Sequence, residues 1–197
     1  MNLALEDNFM QIRSNKVGSA HHSKVQSCYE WADALFIAVV ILVLAFSFCL
    51  RIVSVSGPSM QPNLFSSDKV LLTYFGTSLQ CGDVIVIEHT NSREPIIKRV
   101  VATGGQTVDI HAGIVSVNGQ ALDESAYLVK GIKTEQEGTN VHYPLTVPEG
   151  KIFVLGDNRS ISLDSRSSEI GLIDQKDILG KAQLVLFPFS HFGKIKG

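Results

Sequence analysis

Pro95-Ile96-Ile97-Lys98-Arg99-Val100-Val101 is a short apolar run of β-branched residues interrupted by two adjacent cations. Runs of this length, rich in Val and Ile and bounded by turn residues, read as buried strands. The same pattern recurs over Lys69–Phe75, Val84–His89, Thr107–Ile110, Ile114–Val117, Ile152–Leu155 and Ala182–Phe187. Gly104-Gly105, Val117-Asn118-Gly119-Gln120 and Pro148-Glu149-Gly150 supply turns between them, and Asn118-Gly119 is a strong hairpin signal. The expected fold class is mainly β, one compact domain over residues 54–197. Gln120 to Thr146 is polar and reads as a long loop or flap.

Residues 34–50 read ALFIAVVILVLAFSFCL, without a charge, bounded by Asp33 and Arg51. With Trp31 and Ile52-Val53 the run approaches the roughly 20 residues that cross a bilayer core of about 30 Å. Tyr29 and Trp31 stand where an interfacial aromatic belt would lie. The expectation is a single transmembrane helix with its flanks over 31–53, preceded by a loose polar tail over 1–30. A cleaved secretory leader would have a shorter apolar core and a short basic start, whereas a long tail with Glu30 and Asp33 precedes this one. A buried core helix would be shorter or carry a polar stripe. Arg13, Lys16 and Lys24 before the run favour a cytoplasmic N-terminus, which puts the domain outside the cytoplasm.

Composition narrows the class. The 197 residues are 45% hydrophobic and 18% charged, enough for one sizeable core. Seventeen basic against nineteen acidic residues give a formal charge of −2, without the basic excess of nucleic-acid binders. Cys28, Cys49 and Cys81 fall before, within and after the apolar run, which argues against a disulfide framework or a thiolate metal site.

Chemistry is read from three segments. Gly57-Pro58-Ser59-Met60-Gln61-Pro62 holds a serine in a Gly/Pro-rich turn soon after the apolar run. A serine hydroxyl is a poor nucleophile at neutral pH and needs a base and oxyanion donors. None of the six histidines sits in a triad motif. Lys98 is the alternative base, because burial disfavours a charged amine and lowers its pKa. Strand alternation puts Lys98 on one face with Ile96 and Val100, and Ile97, Arg99 and Val101 on the other. Arg99 does not deprotonate in proteins, so its place is structural. Taken singly, the serine also reads as a turn residue and the lysine as one that snorkels to solvent.

In order, Ser59-Met60-Gln61-Pro62, Gly82-Asp83-Val84-Ile85-Val86, Lys98-Arg99-Val100-Val101 and Gly156-Asp157-Asn158-Arg159-x-x-Ser162-x-Asp164-Ser165-Arg166 resemble the successive boxes of bacterial type I signal peptidases, in the short form of Gram-positive bacteria. The resemblance implies a membrane-bound serine endopeptidase that cleaves signal peptides from exported preproteins. Ser59 would be the nucleophile and Lys98 the general base of a Ser-Lys dyad. Ser162 would orient the lysine, and Asp157, Asp164 and Arg166 would support the site, the last two as an ion pair. The Ser59 backbone N–H would serve the oxyanion. No metal or organic cofactor is implied; the partners are preprotein signal peptides and membrane lipid, not nucleic acid. The chain departs from the pattern at Asn63-Leu64, where Thr-Leu is frequent, at Gly104-Gly105-Gln106, where Pro-Gly-Asp is usual, and at Ile170-Gly171, where an aromatic residue is common. Gly57 stands where some members carry a serine that completes the oxyanion hole, leaving the second donor unassigned.

The resemblance also implies shallow apolar pockets for small side chains one and three residues before the scissile bond. The eight residues from Arg51 to Ser59 reach at most about 28 Å at roughly 3.5 Å each, so the serine works near the bilayer surface. Met60, Leu64 and Phe65 fit either the interface or core packing. Competing readings are a self-cleaving Ser-Lys repressor, which would carry a DNA-binding module in place of the apolar run, and a penicillin-recognising enzyme, which would show Ser-x-x-Lys. A catalytically inactive membrane-anchored binding module is the third.

Overall fold

The computed structural model describes residues 29–44, 50–74, 78–88, 94–137 and 141–197. The tail expected over 1–28 lies outside them, as do 45–49 of the apolar run. The chain divides into two units, Met1–Phe48 and Cys49–Gly197.

In the first unit, residues 29–44 form a helix whose side chains are exposed all round, from Trp31 to Leu44. Among the described residues no helix is long and apolar enough to cross a membrane.

The second unit is mainly β, as the Val/Ile runs require. Its strands are β1 (Leu50–Ser54), β2 (Lys69–Thr73), β3 (Val84–Ile87), β4 (Ile96–Thr103), β5 (Thr107–His111), β6 (Ile114–Val117), β7 (Gln120–Ala121), β8 (Leu145–Thr146), β9 (Lys151–Leu155), β10 (Ile173–Asp174), β11 (Ile178–Phe187) and β12 (Gly193–Lys194). The larger sheet runs β1-β2-β11-β3-β4-β9-β10 with β12 on β11, and the smaller runs β7-β6-β5-β8. All pairings are antiparallel.

One expectation is corrected here. Ile52 and Val53 do not extend the helical span to residue 53: Leu50–Ser54 pairs in register with Thr73–Lys69. β-Branched side chains suit a pleated edge strand, and pairing with β2 satisfies backbone groups that a helix end would leave open. Arg51 marks the end of the uncharged run, but the apolar Ile52-Val53 beyond it suits a helix flank and a strand alike, so composition does not tell the two apart.

The local turn signals behave as read. Asn118 and Gly119 both take positive φ, 52° and 77°, the geometry of a type I′ hairpin between β6 and β7. At Gly104-Gly105-Gln106 the Gln106 Oε1 accepts the Thr103 N–H at 2.8 Å, closing the turn between β4 and β5.

β4 is the central scaffold. It is buried along most of its length and lies between β3 and β9. Ile97 packs with Val84, Val86, Met60 and Leu64 in one cluster, while Val100 packs with Ile85, Ile87 and Val154 in another. Lys98 pairs with Ile85 and Arg99 with Val84. Cross-strand partners share a face, so the two cations point to opposite sides of the sheet, as alternation demands.

Candidate active site

Ser59 lies on the loop that joins β1 to β2. Val55 N donates to Asp68 O, Ser67 N to Val55 O and Leu64 N to Met60 O, at 2.8–3.0 Å, which folds the loop on itself. Met60 and Leu64 are buried in the core, so of the two roles open to them core packing is the one taken. Each contributes roughly 1.5–3 kcal/mol of burial. Phe65 stays partly exposed and stacks on His191 at 4.9 Å. Asp68, itself buried, accepts the Phe65 N–H at 2.8 Å and meets His191 Nδ1 at 2.9 Å. The serine is therefore carried on a pinned loop, itself only half-buried.

Gly156, just past β9, brings the loop to the third segment. A Cβ at residue 156 would stand 2.1 Å from Ser162 Oγ and 2.6 Å from Ser59 O, so only glycine admits both. Asn158 N donates to Ser59 O at 2.9 Å, and Asp164 Oδ2 accepts the Gly156 N–H at 3.0 Å. Ser162 is held by its backbone: its N–H reaches Asn158 O and its carbonyl accepts Arg166 Nη2 at 3.1 Å. Its buried hydroxyl has no hydrogen-bond partner among the described residues. A buried polar atom left open is rare and points to a partner in the working enzyme.

Lys98 enters from β4. Arg99 pairs with Leu155, the residue before Gly156, so Lys98 stands at the end of β9 where the Gly156 segment begins. Its side chain is buried, 4% exposed, and makes no hydrogen bond or ion pair among the described residues. Burial holds its amine below the ordinary lysine value, with the Arg166 charge acting the same way and Asp164, Asp157 and Glu137 opposing.

The carboxylates are matched elsewhere. Asp164 binds Arg166 Nε through Oδ1 at 2.8 Å and Nη2 through Oδ2 at 3.0 Å. Asp157 takes Arg99 in a two-pronged pair, Nε to Oδ1 and Nη2 to Oδ2, both 2.7 Å. Asp157 Oδ2 also accepts Asn63 Nδ2 at 2.8 Å. Gly57 has φ +80° with open space where a Cβ would sit, so a side chain there is opposed by backbone strain alone.

The model for signal peptidase, peptidase S26, matches residues 28–187. The chain belongs to the signal peptidase family. It is 35% identical to signal peptidase I of Bacillus licheniformis over 181 residues, covering 87% of this chain and 95% of that protein. It is 33% identical to signal peptidase I S of Bacillus subtilis (strain 168) over 184 residues, covering 89% and 98%. A crystal structure of a signal peptidase I from Enterococcus faecalis V583 is similar at 30% identity with a TM-score of 0.44, covering 53% of this chain and 97% of that one.

For this family member the structure adds what the motifs alone do not give, the partners of three motif arginines. Arg99, Arg159 and Arg166 are among the largest fully buried side chains. Each reaches the segment 122–137. Arg99 lies over the Tyr127 ring at 3.9 Å; Arg159 binds Glu124, 3.2 Å from Nη1 to Oε2, and Thr134; Arg166 binds Glu135 O at 3.2 Å and Glu137 at 3.0 Å. Asn63 adds a bond to Tyr127 O at 2.7 Å. The flap is thus fastened to the nucleophile loop and to the Gly156 segment at once. Arg159 and Arg166 sit inside the last box and are legible there, but nothing local in 122–137 says what they hold.

Proposed function

We propose that this chain is a membrane-anchored endopeptidase that removes N-terminal signal peptides from exported preproteins by a Ser59–Lys98 dyad. The observation that carries the reading is Lys98: a buried amine, without an ion pair, pushed toward its neutral form inside a signal peptidase family member. A neutral amine accepts a proton where an ammonium cannot.

In the first step Ser59 Oγ attacks the scissile carbonyl carbon and its proton passes to Lys98. The lysine then gives that proton to the departing amine, leaving the signal peptide as an ester on Ser59. Water attacks the ester and Lys98 takes one of its protons; as the C–O bond to Ser59 breaks, Lys98 passes that proton to Ser59 Oγ and the signal peptide leaves with a free carboxyl group. The Ser59 backbone N–H, which donates to no other group among the described residues, is available to the oxyanion. The open Ser162 hydroxyl is suited to orient Lys98. Asp164 and Arg166 fix the Gly156 amide behind both serines, and Asp157 fixes Arg99. The apolar helix 29–44, exposed on every side, and the run that follows it supply the anchor, with the N-terminus cytoplasmic and the catalytic domain outside.

Incubating detergent-solubilised protein with a preprotein tests the reading. Wild type releases the mature chain, while Ser59→Ala and Lys98→Ala release none and stay folded. Joining the two changes adds no further loss, since they act as one unit. Substantial turnover by either single variant defeats the dyad.

A further inference from the structure

Beside the nucleophile loop lies a pocket of about 220 Å³, lined by Gln61, Pro62, Val129, Ile132, Asp157 and Asn158. Three fastened segments form it: the residues just after Ser59, the flap, and the turn after Gly156. Its walls are preformed. Asn158 is tied to Ser59 O and Asp157 to Arg99 and Asn63, so a guest meets no unpaired charge. Val129 and Ile132, however, are 55% and 45% exposed, apolar side chains on an otherwise anchored segment.

The size decides the occupant. A small-molecule site typically takes about 300–1,000 Å³. This pocket is smaller and suits one large side chain. A subsite that selects small residues must exclude large ones, and a space of this volume excludes few. Two of its lining residues, Gln61 and Pro62, stand two and three places after the serine that would be acylated, and a third, Asn158, is bonded to that serine's carbonyl, so a side chain of the same extended substrate reaches it. We propose, resting on the function above, that this pocket binds an apolar side chain of the released chain, at the first or second residue after the scissile bond. Val129 and Ile132 are then specificity residues on the flap, holding the leaving segment while the Ser59 ester forms.

The test uses the full chain in detergent and synthetic peptides with Ala at the third and Ala or Leu at the first position before the scissile bond, and with Leu, Ser, Asp or Lys at the first two after it. Wild type should prefer Leu over Ser and Asp by about 10-fold in kcat/KM, the scale that a hydrophobic pocket gives for modest differences in size. Val129→Ser/Ile132→Ser should flatten that preference yet leave unchanged the discrimination of Ala against Leu before the bond. Ile132→Glu should turn the preference toward Lys after the bond. Both positions are exposed, so folding is not at stake; circular dichroism checks it. Cleavage without preference after the bond, or a preference that survives the double serine change or moves to the positions before the bond, overturns the proposal alone. A wild type that cleaves none of these peptides nor any preprotein takes the dyad reading down with it.

Discussion

Lys98 and Arg99 are neighbours on one strand, both cationic and both buried, yet the two faces of β4 treat them in opposite ways. On the Arg99 face the guanidinium is met at every prong: Asp157 twice, Gly82 O at 2.7 Å, Lys196 O at 2.6 Å and the Tyr127 ring. On the other face Lys98, paired in register with Ile85, is buried and forms no hydrogen bond or ion pair among the described residues. One face stabilises charge and the other removes it. A paired buried ion holds segments in register, whereas an unpaired one becomes a base.

The contrast breaks most visibly at Arg99. Arg99→Leu leaves the Asp157 carboxylate buried and unpaired and should cost about 3–5 kcal/mol of stability, read from urea unfolding. Arg99→Lys should rescue little, because a point charge cannot make the two-pronged contact. An Arg99→Leu/Asp157→Asn pair that is as unstable as Arg99→Leu alone would show that the unpaired charge is not the cause.

Next comes Gly156→Ala. Its methyl group would lie within 2.1 Å of Ser162 Oγ and 2.6 Å of Ser59 O, displacing both. A misplacement of this order near the reacting atoms costs roughly 100-fold in rate, so kcat for preprotein cleavage should fall by about that factor. Unchanged kcat would mean that the Ser59 loop and the Gly156 segment are not mechanically joined.

Lys98→Met sharpens the other face. The folded-state pKa of Lys98 lies below its unfolded value, so charging it in the folded protein costs stability in full below the folded pKa. That cost fades as pH rises through the folded pKa toward the ordinary lysine value of 10.5. Methionine removes the charge at similar shape. The inactive variant should therefore melt higher than wild type, by roughly 2–8 °C near neutral pH. The gap should close as pH rises, and a constant gap would show that the lysine is not desolvated. In the active enzyme the same titration gives cleavage an acidic limb, with rate rising as Lys98 loses its proton.

The smallest effect belongs to the flap. Asn63→Thr, the residue frequent in relatives of this pattern, keeps a hydroxyl for one of Asp157 or Tyr127 O but not both. It should cost about 1 kcal/mol. The same urea titration checks it.

What was legible in the sequence divides along the same lines. The seven Val/Ile runs and the Asn118-Gly119 hairpin depend on residues a few places apart, and all of them appear as strands and turn. The alternation that separates Lys98 from Arg99 is also local. The Arg99–Asp157 pair joins positions 58 apart, and Arg159 reaches Glu124 across 35, so neither has a pattern in the chain to read. Segment 122–137 looked like an unassigned loop because its role is given by arginines outside it. At Leu50–Ser54 the reason is different: Ile52 and Val53 read as apolar in a helix flank or in a strand, and only the hydrogen bonding to β2 separates the two.

The carbonyl of Lys196 sits on Arg99 Nη1, and Ile195 packs on the cluster that buries Met60. Residues 188–197 fall outside the region matched by the family model, so a laboratory trimming the chain to its matched part would remove them first. That trimming would uncover one prong of the guanidinium that positions Asp157, and unseat the floor beneath the nucleophile loop. A purification handle fused directly after Gly197 invites a milder form of the same injury; a flexible spacer or a handle at the other end avoids it.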